Sequence, residues 1–231
     1  MLKPHVLCGL LAGCLLSTAA FAESPNSLTD KEKKEGWKLL FDGKTLKGWN
    51  AWQGRKPVEE GKWVVADGAM QLNKGGGDIY TADAFENYEL SLEWKTTGNS
   101  GLLLRVDPSS KGPIYGVAPE MQIERDKGTR STSAGGLYAL YDIEGEKVIH
   151  PQGWNHVRIR LVDGHGVHWL NGQKLYEYQI GSDDWNARVA KSKFKNNKGF
   201  GLTKKGHIGL QHHGAVVSFR NLKIRELKSE K

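Results

Sequence analysis

The sequence predicts an all-β domain, a β-sandwich of jelly-roll type with one short helix near residues 183–195. Three observations point there. Short runs alternate apolar and polar residues with the period of two that marks a half-buried strand. Between such runs lie Asp67-Gly68, Asp163-Gly164 and Asn171-Gly172, dipeptides suited to the tight turns of hairpins. The strand-helix-strand rhythm of a parallel sheet is absent throughout.

In chain order, Trp37 to Phe41 reads as a first strand closed by the turn signal Asp42-Gly43-Lys44. Trp63-Val64-Val65 and Ala69 to Leu72 flank Asp67-Gly68, and Gly75-Gly76-Gly77 makes a loop. Leu90 to Lys95, Gly101 to Val106 and Glu120 to Glu124 follow as three alternating runs. Gly135 to Tyr141 continues the alternation, and Trp154 to Val162 directs Val157, Ile159 and Leu161 inward. Gly166 to Leu170 and Gln173 to Ile180 complete a meander. Ser182 or Asp183 caps the helix, which presents Trp185, Val189 and Phe194 at about one-turn spacing beside a lysine-rich face. Gly206 to Gln211 and Val216 to Leu227 close the domain. The apolar parity slips between Phe219 and Leu222, which predicts a bulge near Asn221.

The three runs between Leu90 and Glu124 carry charge on one face. If they pair in one sheet over a common core, Glu93, Lys95, Arg105, Glu120 and Gln122 project together as a polar groove. A solvated sheet face carries such residues without any function, so alternation alone decides nothing. The connection Gly98-Asn99-Ser100-Gly101 and the aromatic Trp94 among the charges favour a site.

Lys3, the apolar run Val6 to Leu16 and the small residues ending at Ala22 predict a secretory signal peptide over residues 1–22, cleaved after Ala22. The run is shorter than the ~20 apolar residues that span a bilayer. Leu11-Ala12-Gly13-Cys14 is the competing signal, a lipoprotein anchored at Cys14. Cys8 and Cys14 both lie in this leader, so the expected periplasmic or secreted chain has no thiol for a disulfide or a nucleophile. A polar lead-in over 23–35, flexible or partly helical, precedes a single domain over 36–228. The net charge of +7 is dispersed and lacks the aromatic-interleaved basic stripe of a nucleic-acid binder. No nucleic-acid partner is expected, and the oligomeric state is not legible.

An ordered set of motifs then resembles one family. Leu40-Phe41-Asp42-Gly43-Lys44 with Gly48-Trp49 comes first, followed by Glu93-Trp94-Lys95, Asn99-Ser100-Gly101 with Arg105, and Glu120-Met121-Gln122. Trp154-Asn155, Asn171-Gly172, Gly206 to Gln211, His213-Gly214 and Phe219-Arg220-Asn221 complete it. The chain resembles the 3-keto-disaccharide hydrolase domain family from Gly36 to Leu227. The resemblance implies a concanavalin A-like jelly roll that is usually exported and acts on sugars oxidised at C3 or on related glycosides.

A C3 ketone acidifies the C2 hydrogen, so a base can remove it and the enolate can expel the group on C1; water then adds back. This needs a base at C2, cations or donors at the C3 oxygen and an acid at the leaving oxygen. In this reading Glu120 or His213 is the base and Arg105 and Lys95 stabilise the enolate. Glu93, Asn99, Gln122, Tyr138 and Gln211 bind the sugar. Arg105 could equally neutralise Glu93 or Glu120. Glu93 and Glu120 could instead form the carboxylate pair of a conventional glycosidase. Glu93, Glu120 and His213 are also residue types that ligate a divalent metal, although no His-Glu-x-x-His spacing supports it. A non-catalytic carbohydrate-binding module would stack sugars on Trp49, Trp52, Trp63 or Trp94, residues equally suited to a core.

Overall fold

The computed structural model describes residues 24–231 except 55–57, 59–61, 74, 126–127 and 146–148. The expected leader and both cysteines lie outside the described residues. The strands are β1 (Lys38–Leu39), β2 (Trp49–Ala51), β3 (Trp63–Ala66), β4 (Ala69–Leu72), β5 (Ile79–Thr81), β6 (Tyr88–Thr96) and β7 (Ser100–Val106). They continue with β8 (Glu120–Ile123), β9 (Asn155–Val162), β10 (His165–Leu170), β11 (Gln173–Gln179), β12 (His207–Leu210) and β13 (Val217–Glu226). Helix α1 spans Asp30–Lys34 and α2 spans Asp183–Lys191. Among the described residues no helix is long and apolar enough to cross a membrane.

The strands form two antiparallel sheets, as the alternation predicts. The larger runs β11-β10-β9-β6-β13-β4-β3, with β1 added beside β13; the smaller runs β2-β5-β12-β7-β8. Their inner faces meet over Met70, Leu90, Leu92, Trp94, Leu102, Leu104, Met121, Ile159, Leu210 and Phe219, all nearly solvent-free. The hairpin dipeptides take positive φ at both residues, as at Asp67 (50°) and Gly68 (69°), which matches the right-handed twist of the flanking strands. Asn221 adopts φ 54°, and the β13–β6 register shifts between Arg220 and Lys223, where the parity slip places a bulge.

Three expectations need correction. The runs from Leu90 to Glu124 do not share a sheet: β6 belongs to the larger one, and Thr97 to Asn99 carries the chain across to β7 and β8 in the smaller. Parity determines which way a side chain points within a strand, but it is blind to which sheet the strand joins. Gly135 to Tyr141 is not a strand; it folds into a turn closed by a Leu137–Tyr141 bridge, with Ala139 at φ 59°. The helix ends at Lys191, where Ser192 takes an extended backbone.

The lead-in is tethered to the sandwich. Asn26 N donates to Asn221 Oδ1 at 2.6 Å, Asn221 N donates to Asn26 Oδ1 at 2.8 Å, and Asn26 Nδ2 donates to Gly68 O at 2.7 Å. Thr29 and Glu32 cap α1 reciprocally, and Glu32 pairs with Lys223 of β13.

Helix α2 docks through Trp185, which is 1% exposed and lies 5.4 Å from the Tyr178 ring of β11. Beyond its end, Phe194 stacks on Phe200 at 4.2 Å. This anchoring fixes the position of the intervening Lys193.

Candidate active site

One face of the smaller sheet carries a pocket of about 160 Å³ lined by Asn99, Tyr115, Glu120, Gln122, Tyr138, Lys193, Gln211 and His213. Glu120 and Gln122 alternate along β8 on the side away from the main core, and β7 lies alongside through the Leu103–Glu120 and Gly101–Gln122 pairs. Gly101 leaves room for the acid. A Cβ at that position would lie 2.4 Å from Glu120 Oε1. Gln211 extends from the end of β12, held by its N–H on Gly101 O at 2.9 Å and by Ser100 Oγ, which donates to Gln211 O at 2.8 Å.

The turn after β8 supplies Tyr138. Gln122 N donates to Gly136 O at 2.9 Å and Tyr138 N donates to Glu120 O at 2.8 Å, so this turn is laced to the strand carrying the acid. Gly136 is required there, because a Cβ would meet Ser131 O at 2.6 Å and Arg130 O at 2.7 Å.

Glu120 is 5% exposed. Gln211 Nε2 donates to Glu120 Oε2 at 3.4 Å. Burial pushes the Glu120 carboxyl up to about 8; the Lys193 ammonium opposes this, Asp78 adds to it, and the Gln211 bond opposes it. The carboxyl is therefore mainly neutral at pH 7 and gains basic character just above it.

Lys193 approaches from the segment after α2, its Nζ 4.0 Å from the centre of the Tyr138 ring and 5.0 Å from that of Tyr115. The two aromatic faces hold the ammonium in place. Gln122 Nε2 donates to Asn99 Oδ1 at 3.0 Å, while Gln122 Oε1 and Gln211 Oε1 are buried without partners. A ring of hydroxyls would satisfy acceptors of this kind. His213 is exposed at the rim, and its neighbour His212 faces away, accepting from Gly75 N at 3.2 Å.

The fold thus brings together Glu120, His213, Asn99, Gln122, Tyr138 and Gln211. It does not bring Lys95, Glu93 or Arg105 to them. Glu93 lies on the larger sheet, bonded by Arg220 Nε at 2.6 Å and Asn221 Nδ2 at 3.0 Å. Lys95, exposed on the same strand, sits 5.2 Å over the Trp154 ring. A β-bulge turns Arg105 out of the expected face: its φ is 58°, and the β12–β7 register shifts between His207 and Gly209. Arg105 is 4% exposed, beside Tyr88 and Tyr178 rather than in the pocket.

Glu93 and Glu120 therefore cannot act as a carboxylate pair, nor can Glu93, Glu120 and His213 share a metal. Among the described residues no group of three or more His, Cys, Asp and Glu side chains is placed to hold one. Trp49, Trp52, Trp63 and Trp94 are buried, which removes them as sugar platforms.

Sequence reasoning missed Lys193 and Tyr115. Lys193 reads locally as one of several lysines on a solvated helix face, and its only signal is its place beside the apolar Phe194.

Fold and pocket together define a jelly-roll sandwich with a small polar cleft, in which a buried acid faces one cation and several amides. The chain belongs to the family described as the 3-keto-alpha-glucoside-1,2-lyase-like domain, which matches residues 36–225. It is 31% identical over 235 residues to a 3-keto-disaccharide hydrolase of Bacteroides thetaiotaomicron, covering 84% of this chain and 79% of that protein. Two crystal structures from Parabacteroides distasonis, each described as a candidate glycosyl hydrolase, share the fold. One has a TM-score of 0.81 at 34% identity over 89% of this chain and all of the other. The second has a TM-score of 0.64 at 30% identity, over 83% of this chain and 99% of its own.

Proposed function

We propose that the protein is an exported carbohydrate-active enzyme that cleaves 3-keto-glycosides by elimination, with Glu120 as base and Lys193 as the cation at the C3 oxygen. The observation that carries this reading is the presence in one pocket of a buried carboxyl, raised to about 8, and an ammonium held over the Tyr138 ring. A base near that value can take a proton from carbon next to a ketone and return it close to neutral pH. The family match supports the substrate class.

In the first step the Glu120 carboxylate takes the C2 hydrogen, and the C–H electrons form the C2–C3 double bond of an enolate. Negative charge gathers on the C3 oxygen, where the Lys193 ammonium stabilises it. Collapse of the enolate forms a C1–C2 double bond and breaks the C1–O bond. The leaving oxygen receives a proton from Glu120, now an acid, or from His213 at the rim. The products are a free alcohol and an enone. Water adding across C1–C2 returns the 3-keto sugar. Gln122, Gln211 and Asn99 orient ring hydroxyls.

The test is to incubate the protein with a 3-keto-disaccharide and with its unoxidised parent in D₂O, with and without a chelator. Cleavage of the keto sugar alone, with deuterium entering at C2, is the expected result. Equal cleavage of the parent would replace this reading by ordinary hydrolysis, and binding without turnover by a binding module. Glu120→Gln should lower turnover by about 10²–10⁴-fold while the fold persists; retained activity would remove Glu120 from the mechanism.

A further inference from the structure

Arg105 is a buried cation that the polar pocket does not use. It lies four residues beyond Gly101 on β7, roughly 13 Å along the strand from the pocket wall. The bulge turns its side chain toward the interior, where it is 4% exposed and its Nε has no hydrogen-bond partner. No ion pair of Arg105 occurs among the described residues. The hydroxyl of Tyr88, near enough to be influenced by the Arg105 charge, is also buried without a partner. Two buried donors without acceptors in one region leave polar groups unsatisfied, and a buried guanidinium calls for negative charge.

Arg105 also lines a second cavity, of about 300 Å³, together with Gln179, Lys204 and Lys231. Two acids share this wall. Asp163 accepts from Ser229 Oγ at 3.0 Å and from Glu230 N at 2.8 Å, bonds that keep it ionised, and the Lys231 charge acting on it offsets its own. Glu86 is exposed, so its field is screened by water.

We propose that this end of the sandwich binds a small oxyanion, with Arg105 as its buried anchor and Lys204 and Lys231 at the mouth. Carboxylate, sulfate and phosphate all present the oxygen acceptors that the guanidinium fork matches. The site is separate from the Glu120 pocket and does not depend on the reaction proposed there.

Thermal melting and calorimetric titration of the whole protein with inorganic phosphate, sulfate and acetate, against chloride at matched ionic strength, test the site. The expected result is a saturable rise in Tm with at least one oxyanion and none with chloride, because a ligand of the folded state alone stabilises it. The strongest of the three identifies the headgroup. Lys204→Ala should weaken the apparent affinity several-fold, and Arg105→Met should abolish the response. Lys193→Met should leave it unchanged. The proposal is overturned if no oxyanion acts differently from chloride, or if Arg105→Met responds like the unaltered protein. It also fails if the response disappears with Lys193→Met, which would place the ion beside Glu120. Should Arg105→Met not fold, an unchanged affinity in Lys204→Ala overturns it equally.

Discussion

Under the proposed mechanism Lys193 acts in two ways that experiment can separate, on Glu120 and on the substrate. Its charge lowers the Glu120 pKa, so Lys193→Met raises it further. Under the proposed mechanism kcat/KM rises with pH toward an apparent pKa near 8. In Lys193→Met the rise should move to higher pH, and kcat should fall about 10²–10³-fold, the usual effect of removing one preorganised stabiliser of developing charge. A rate loss without the pH displacement would mean that Lys193 acts only on the substrate. Glu120 also affects stability. A carboxyl whose folded pKa exceeds its unfolded value binds more protons when folded, so stability is greatest below about 4.5 and falls as pH rises toward about 8. Urea denaturation at a series of pH values should show Glu120→Gln gaining stability on the unaltered protein across that window.

The strands position these residues through contacts with little slack. Replacing Gly101 by Ala places a methyl 2.4 Å from Glu120 Oε1 and forces the carboxyl aside, so turnover should fall more than melting temperature. An unchanged kcat would show that Glu120 has a second productive rotamer. The β13 bulge is an equally local device with a distant partner. Asn26 satisfies the backbone there and at the Asp67-Gly68 turn, so Asn26→Ala should cost about 1–3 kcal/mol in denaturant titrations by leaving half-buried groups unpaired. A neutral outcome would mean that water replaces the side chain. On the larger sheet, burial raises the pKa of Glu89, yet bonds from Arg158 and Arg225 outweigh it and hold the carboxyl below its ordinary range. That cross-strand cluster joins β9, β6 and β13.

In the whole molecule, two separate polar features lie at opposite ends of β7, the second walled largely by the β9–β10 turn and the end of β11 from the larger sheet. The pocket with Glu120 sits at the Gly101 end of β7, and the cavity with Arg105 at the other. Docking of α2 through Trp185 links the larger sheet to the pocket, because the same aromatic layer fixes Phe194 and so Lys193. Trp185→Ala should therefore cost about 3–5 kcal/mol of stability and lower kcat as well. Loss of stability with full activity would show that Lys193 reaches the pocket without the helix.

Local pattern by itself determined that the chain is all-β, where the hairpins turn, where β13 bulges and which residues of β8 and β12 leave the core. The reason is physical: period-two alternation and positive-φ dipeptides are properties of adjacent residues. Glu120, Gln122 and Gln211 are legible for that reason, and all three lie within the motifs that carry the family resemblance. Sheet membership is different, because it depends on pairings between distant segments. Only the tertiary structure decided that Glu93 and Lys95 lie on the larger sheet, since β6 pairs with β9 and β13 instead of β7. It alone turned Arg105 inward, through a bulge set by the β12 register, and it alone carried Lys193 to the acid from more than seventy positions away in sequence. Burial, which raises the Glu120 pKa, is likewise a property of the assembled sheets.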